Sequence, residues 1–193
     1  MKKKKLILYR VLRFILVPFF KLFFLPKYEN REVIPKSGRI VLAGDHISNL
    51  DAPLLISATN RPIHFLGKIE LFKKGILSWF FHSVGVIPVD RKQKKNHQAM
   101  QSAEAVLNSG EMIGIFPEGT TRKDHPTMRP FKLGAVAMAS HTNSLIIPFA
   151  ITGKYRFLRR GVKITFGEPF DVSNLELEEA NKLLEKKVLE LMK

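Results

Sequence analysis

In RIVLAGDHISNLD, residues 39–51, an apolar run ends in a glycine and polar residues follow. The apolar half, 39–43, is typical of a buried strand. The other half ends in Asp51-Ala52-Pro53, a combination found where helices begin. The stretch therefore predicts a strand, a turn and the start of a helix, and functional residues of α/β folds often lie at such strand ends.

His46 and Asp51 put an imidazole and a carboxylate into this turn. Within one helix, at ~100° per residue, the two side chains would not share a face, so they meet only if His46 precedes the helix. The carboxylate would then accept from one ring nitrogen and leave the other free to take a proton. An equal alternative is that Asp51 only caps the helix and His46 is a polar loop residue.

On both sides of residues 39–51, apolar runs as long as a strand alternate with segments in which apolar residues recur with the period of a helix. This alternation predicts an α/β fold with a largely parallel central sheet flanked by helices. The predicted strands are 39–43, 63–66, 85–89, 112–116, 145–151 and 162–166, and the predicted helices are 53–58, a stretch from 68, 76–84, 96–109, 133–140 and 174–192.

Composition narrows the class of protein. The 193 residues suit one domain with a substantial core. The chain has no cysteine, which excludes disulfides, thiolate metal ligands and a cysteine nucleophile, and which fits a reducing compartment. The net charge of +15 predicts attraction to an anionic partner but does not choose among membrane surfaces, nucleic acids and acidic proteins.

We expect residues 1–30 to form a basic amphipathic, helical membrane-anchoring segment and residues 31–193 to form the α/β domain. The longest uncharged run before Lys21 is 14–20, far short of the ~20 residues that cross a bilayer. On a helical wheel the cations fall on about one third of the circumference and the rest is mostly apolar. This pattern favours a segment lying among lipid headgroups. The alternative is a helix packed on the domain with its basic side in water.

Four short blocks follow one another along the chain. In order they are H-x-x-x-x-D at 46–51, G-V-I-P-V-D-R at 85–91, F-P-E-G-T-T-R at 116–122 and I-I-P-F at 146–149. Together they resemble the glycerolipid acyltransferases, specifically the 1-acyl-sn-glycerol-3-phosphate acyltransferases. Asp45 departs from the family pattern, in which Asn often precedes the histidine, so a second carboxylate lies beside the predicted base.

The resemblance implies transfer of a fatty acyl group from acyl carrier protein or coenzyme A to the sn-2 hydroxyl of 1-acyl-sn-glycerol 3-phosphate, giving phosphatidate. His46 and Asp51 are then the catalytic pair, with His46 as general base and Asp51 fixing its tautomer. No G-x-S-x-G elbow is present, and a thioester donor needs no enzyme nucleophile. The acyl thioester is a co-substrate, so no cofactor is expected.

We expect six residues to bind substrates, namely Lys68, Arg91, Glu118, Gly119, Arg122 and Pro148. The resemblance assigns Glu118, Gly119 and Arg122 to the acceptor, with Arg122 as a bidentate phosphate ligand. Glu118 either binds the glycerol or pairs with Arg122. Lys68 and Arg91 are further cations, although Arg91 is nearly as well explained as a surface charge. Pro148 lacks a backbone N–H, so its role is shape.

The expected partners are membrane lipids and acyl carrier protein or coenzyme A thioesters, at the cytoplasmic face of the cell membrane in a peripheral or monotopic arrangement. No metal is expected, because no compact cluster of histidines and carboxylates has ligand spacing. Two alternatives stay open: another acceptor, such as glycerol 3-phosphate or a different lysolipid, and a non-enzymatic basic protein that binds membranes or nucleic acid. Nucleic acid is not expected, since aromatics are not interleaved with the basic residues.

Overall fold

A computed structural model describes residues 6–73, 75–90, 96–121 and 127–193 of the chain. Within those ranges it contains six α-helices and seven strands. The helices are α1 Ile7–Phe24, α2 Asp51–Ala58, α3 Gly75–Ser83, α4 His97–Asn108, α5 Gly134–Thr142 and α6 Leu177–Leu191. The strands are β1 Lys27–Glu29, β2 Ile40–Gly44, β3 Ile63–Lys68, β4 Ile87–Val89, β5 Met112–Ile115, β6 Leu145–Gly153 and β7 Val162–Phe166.

The seven strands form one sheet in the order β1-β7-β6-β2-β5-β3-β4. Every neighbouring pair is parallel except β6 and β7, which are antiparallel. The predicted α/β fold with a largely parallel sheet is confirmed. β2, the strand predicted from residues 39–43, lies near the middle of the sheet, between β6 and β5.

Helices cover both faces of the sheet, and β2 shows this directly. All five of its residues are buried, as expected for a strand covered on both faces. Val41 and Ala43 pack into one apolar cluster with residues of α4, α5 and α6, whereas Ile40 and Leu42 pack into another with residues of α1 and α2. The near-continuous apolar run therefore supplies two cores, one on each side.

Among the α-helices and strands, the structure differs from the sequence prediction by more than two residues at three places. Residues 27–29, expected to belong to the N-terminal helical segment, instead form β1, which pairs with β7. Glu29 of this strand forms ion pairs with Lys27 and Lys163. The stretch from residue 68 is a short 3-10 turn over Ile69–Phe72 rather than an α-helix. α6 begins at Leu177, three residues later than predicted.

The N-terminal helix is present and contacts α2, and Tyr9 and Phe20 are its buried residues. No helix in the described ranges is long and apolar enough to cross a bilayer. Arg13 donates to the carbonyl of Thr59 and to Asn60 Oδ1, both at 2.7 Å. Lys21 lies over the ring of Tyr28. Arg13 and Lys21 therefore contact the domain. This differs from both sequence interpretations, which place the cationic side of α1 among lipid headgroups or in water.

Large apolar side chains occupy the opposite side of α1. The exposed ones are Ile7, Val11, Phe14, Ile15, Leu16, Phe19 and Leu22. A soluble helix normally buries such residues. α1 therefore presents its apolar side outward.

We predict that Gly44→Ala will destabilise the fold, because an added Cβ would lie 2.0 Å from the carbonyl oxygen of Phe149 on β6. Overpacking of a close backbone contact should lower the free energy of unfolding by about 2 kcal/mol or more. Urea unfolding followed by circular dichroism measures this change. The control is Gly75→Ala at the start of α3, where an added Cβ meets nothing within 4 Å. Equal stability of the two variants would contradict the tight β2–β6 contact.

Candidate active site

Two neighbouring strands bring the first and third sequence blocks together. β2 ends at Gly44 and leads into His46, while β5 ends at Ile115 and leads into Phe116 and Glu118. The two strands are parallel and adjacent, so the loops after them meet at the same edge of the sheet. This edge holds the candidate site.

His46 and Asp51 form the predicted pair. His46 Nδ1 lies 2.8 Å from Asp51 Oδ2. Asp51 is the first residue of α2 and is completely buried. Its Oδ2 also accepts from the backbone N–H groups of Ile47 at 2.7 Å and Ser48 at 2.8 Å. The carboxylate thus holds the turn that precedes it and makes no hydrogen bond that caps α2. The alternative in which Asp51 is only a helix cap is wrong.

The contacts of Asp51 also fix the tautomer of the imidazole. An ionised carboxylate only accepts hydrogen bonds, so His46 Nδ1 is the donor and Nε2 of the neutral ring carries the lone pair. The ring stacks on Phe116, with centroids 4.1 Å apart and planes 14° from parallel. The His46 side chain is 15% exposed. The ring is therefore held on two sides and keeps a basic nitrogen, as a general base requires.

Tyr155 completes the surroundings of Asp51. Its hydroxyl donates to Asp51 Oδ1 at 2.7 Å. Burial raises the pKa of this hydroxyl, and the negative charge of Asp51 raises it further, so the group stays protonated and acts as a donor. Nothing in the sequence indicated Tyr155, because it lies 104 residues from Asp51 and belongs to none of the four blocks.

Glu118 is buried and organises the backbone of the site. Its Oε1 accepts from the N–H of His46 at 2.9 Å, and its Oε2 accepts from the N–H of Arg129 at 3.0 Å. The carboxylate therefore links the turn after β2 to the segment that leads into α5. Its predicted pairing partner, Arg122, lies outside the described residues.

Gly119 adopts a left-handed conformation with φ of +74°. A Cβ added there would lie 3.0 Å from Lys132 Nζ, so the glycine makes room for this ammonium group. The backbone N–H of Lys132 donates to the carbonyl of Pro117 at 3.0 Å. Lys132 is a cation of the site that sequence analysis missed. The only available signal was its place ten residues after Arg122, the last residue of the F-P-E-G-T-T-R block.

The remaining predicted residues lie in different places. Lys68 is exposed at the end of β3, which is separated from β2 by β5. Pro148 is buried inside β6 opposite Ala43, five residues before the strand ends. Arg91 lies outside the described residues. Asp45 is buried and its Oδ1 accepts from the N–H of Ile151 at 2.7 Å, which ties β6 to the residue before the base.

Two further observations describe the surroundings of the site. In the described part of the chain, no group of three histidine or acidic side chains is placed to hold a metal ion. An open apolar groove of about 900 Å³ lies between α1 and α3, and neither His46 nor Asp51 lines it. Its walls include Ile7, Val11 and Trp79.

Comparison with known proteins places the chain in a family. The acyltransferase family model matches residues 26–152. A 1-acyl-sn-glycerol-3-phosphate acyltransferase of Bacillus subtilis (strain 168) is 30% identical over 148 residues, which cover 74% of this chain and 72% of that protein. One from Borreliella burgdorferi is 31% identical over 137 residues, covering 70% of this chain and 54% of that protein.

A solved structure shares the fold. The 1-acyl-sn-glycerophosphate (LPA) acyltransferase PlsC from Thermotoga maritima aligns with a TM-score of 0.71 and 21% identity, over 95% of this chain and 81% of that one. At this identity the likeness bears on the fold alone. From the family model and the relatives in sequence, the chain belongs to the acyltransferase family, among the 1-acyl-sn-glycerol-3-phosphate acyltransferases.

Proposed function

We propose that this acyltransferase moves a fatty acyl group from a thioester of acyl carrier protein or coenzyme A to the sn-2 hydroxyl of 1-acyl-sn-glycerol 3-phosphate, giving phosphatidate. The observation that carries the proposal is the contact between His46 Nδ1 and Asp51 Oδ2, 2.8 Å long, at the edge where β2 and β5 end. The names of the relatives support the choice of acceptor.

The reaction needs one base and no enzyme nucleophile. His46 Nε2 takes the proton of the acceptor hydroxyl while the hydroxyl oxygen attacks the carbonyl carbon of the thioester. The tetrahedral intermediate then collapses, the carbon–sulfur bond breaks, and the imidazolium returns the proton to the leaving thiolate. Asp51 holds Nδ1–H and stabilises the imidazolium between these steps, as the aspartate of a Ser-His-Asp triad does.

The acceptor phosphate requires cations near this base. Arg122 is the proposed bidentate ligand, because a guanidinium matches two phosphate oxygens. Lys132, beside Gly119, is a second cation at the same edge. Lys68 and Arg91 are further candidates. Glu118, whose two oxygens accept from backbone N–H groups, fixes the geometry of the loop.

The acceptor is a lipid, and we propose that α1 holds the enzyme at the cytoplasmic surface of the membrane. Phe14 is 81% exposed, and six other large apolar residues of α1 are also exposed. An apolar surface of this kind marks an interaction site, and a helix lying in the headgroup region buries such a face. The net charge of +15 favours anionic lipids and an acidic carrier protein.

We predict that His46→Ala will lower kcat by about 10³-fold, because the general base is lost. The assay offers purified protein 1-acyl-sn-glycerol 3-phosphate or glycerol 3-phosphate, each with acyl carrier protein and coenzyme A donors. Transfer to the first acceptor supports the proposal, and preference for glycerol 3-phosphate supports the alternative acceptor.

The matched control for this variant is His141→Ala. His141 forms the same kind of pair, with Nδ1 2.7 Å from Glu104 Oε1, but it lies exposed on α5. This variant should keep full activity. Full activity of His46→Ala would overturn the mechanism.

We predict that Arg122→Ala will raise KM for the acceptor about 10- to 100-fold with a smaller change in kcat, since hydrogen bonds to a charged group contribute roughly 1.5–3 kcal/mol. Arg122→Lys should recover part of the loss, because an ammonium keeps the charge but not the two-pronged geometry. Steady-state kinetics with varied acceptor separate the two constants. An unchanged KM in Arg122→Ala would remove Arg122 from the acceptor site.

A further inference from the structure

The connection between β6 and β7, residues 154–161, contacts the last turn of α1; we refer to it as the β6–β7 loop. The N–H of Leu158 donates to the carbonyl of Phe23 at 2.6 Å, so it satisfies a carbonyl that a helix end leaves unpaired. The ring of Phe157 lies 5.2 Å from that of Phe23. The loop and the end of α1 therefore form one packed unit.

The tip of this loop is apolar and exposed. Phe157 is 64% and Leu158 is 54% exposed. Leu158 has a φ of +54°, a left-handed conformation that glycine or asparagine adopts at lower cost. A large apolar side chain that is more than half exposed gains little stabilisation from burial. Exposed apolar groups combined with backbone strain indicate a contact outside the chain.

Basic side chains surround this tip. The exposed ones are Lys154, Arg156, Arg159 and Arg160. None of them forms an ion pair with a carboxylate in the ranges that the structure describes. Apolar side chains flanked by free cations form the pattern that enters the headgroup region of an anionic bilayer.

We propose that the β6–β7 loop is a second contact with the anionic membrane, in which Phe157 and Leu158 enter the interface and the flanking arginines meet lipid phosphates. The proposal rests on the membrane location proposed for α1. Lipid is the proposed partner because the tip of the loop adjoins the exposed apolar side of α1. Phe19 and Leu22, neighbours of Phe23 on the helix, are themselves exposed.

Vesicle binding by the full chain tests this contact. Against vesicles containing phosphatidylglycerol, the double variant Phe157→Ser with Leu158→Ser should bind about tenfold more weakly or worse, since it loses two inserted apolar groups. The double variant Arg159→Gln with Arg160→Gln should bind these vesicles about fivefold more weakly for each residue replaced. Its affinity for neutral phosphatidylcholine vesicles should not change. The control is Leu189→Ser, an exposed apolar residue on α6, which should bind as the wild type does.

The possible results distinguish the membrane contact of the β6–β7 loop from the membrane location proposed for α1. Wild-type protein that binds neither kind of vesicle overturns both. Wild-type binding that Phe14→Ser with Phe19→Ser weakens, and that both β6–β7 loop variants leave intact, overturns the loop contact alone. Unchanged vesicle binding with lost binding to acyl carrier protein would make the loop a protein-docking surface and also overturn the proposal. The arginine variant tests the contact even if the serine variant does not fold.

A separate observation concerns Tyr155, whose hydroxyl reaches Asp51 Oδ1. Its ring lies edge-on to the rings of Phe20 and Phe24 in α1, at 6.5 and 5.8 Å. Asp51 Oδ2 accepts hydrogen bonds from three donors. The hydroxyl of Tyr155 makes the one hydrogen bond to Oδ1 that the structure describes. We infer that Tyr155 is a positioning residue that sets the plane and basicity of the Asp51 carboxylate for His46. This inference rests on the proposed acyl transfer.

Tyr155→Phe removes the hydroxyl and keeps the ring against α1. We expect kcat to fall about tenfold with an unchanged KM for the acceptor, because a buried carboxylate oxygen loses its donor. The acidic limb of the pH–rate profile should move to higher pH, since a more basic Asp51 holds the imidazolium proton more strongly. The control is Tyr28→Phe, which loses a hydroxyl that lies 2.6 Å from Ser57 Oγ on the same helix, α2.

A structural role would lower stability in both variants but would leave the pH–rate profile in place, and that result overturns the inference. The Nδ1–H proton resonance of His46 gives a readout that needs no turnover. If it shifts in Tyr155→Phe and not in Tyr28→Phe while the wild type transfers no acyl group, the proposed function fails and the positioning contact stands. An unshifted resonance overturns the contact.

Discussion

The rest of the site depends on one buried charge, the carboxylate of Asp51. A carboxylate removed from water is costly unless donors replace its hydration. Four donors do so here: two backbone N–H groups of the turn, the ring of His46 and the hydroxyl of Tyr155. The same interactions shape the turn after β2 and hold the ring of His46 with Nδ1 toward the carboxylate. One group therefore sets both the local fold and the orientation of the ring.

The sequence predicted most of the sheet and the meeting of His46, Asp51 and Glu118 at one edge of it, for physical reasons. Strands covered on both faces are continuous apolar runs, and parallel neighbours bring the residues that follow them to one edge, so His46, Asp51 and Glu118 could be placed together. β1 was missed because it is three residues long and polar, and pairing with β7 creates it. Tyr155 was missed because a contact across 104 residues leaves no local pattern.

The orientation of α1 shows a second limit of sequence reasoning. A helical wheel separates a cationic side from an apolar side but does not say which side contacts the domain. The domain contributes the carbonyl of Thr59 and the side-chain oxygen of Asn60, which accept from Arg13, and the ring of Tyr28, which lies under Lys21. These polar partners hold the cations and leave the apolar side outward. Only the folded domain contains this information.

An enzyme whose acceptor is a lipid must keep its base both sheltered and close to the bilayer. A short series of contacts connects α1 to His46. α1 presents apolar residues outward and, through Phe20 and Phe24, contacts Tyr155 on its inner side. Tyr155 in turn holds Asp51, which holds His46. Because close-packed side chains and buried hydrogen bonds deform little, these few contacts fix the position of His46 relative to the exposed apolar side of α1.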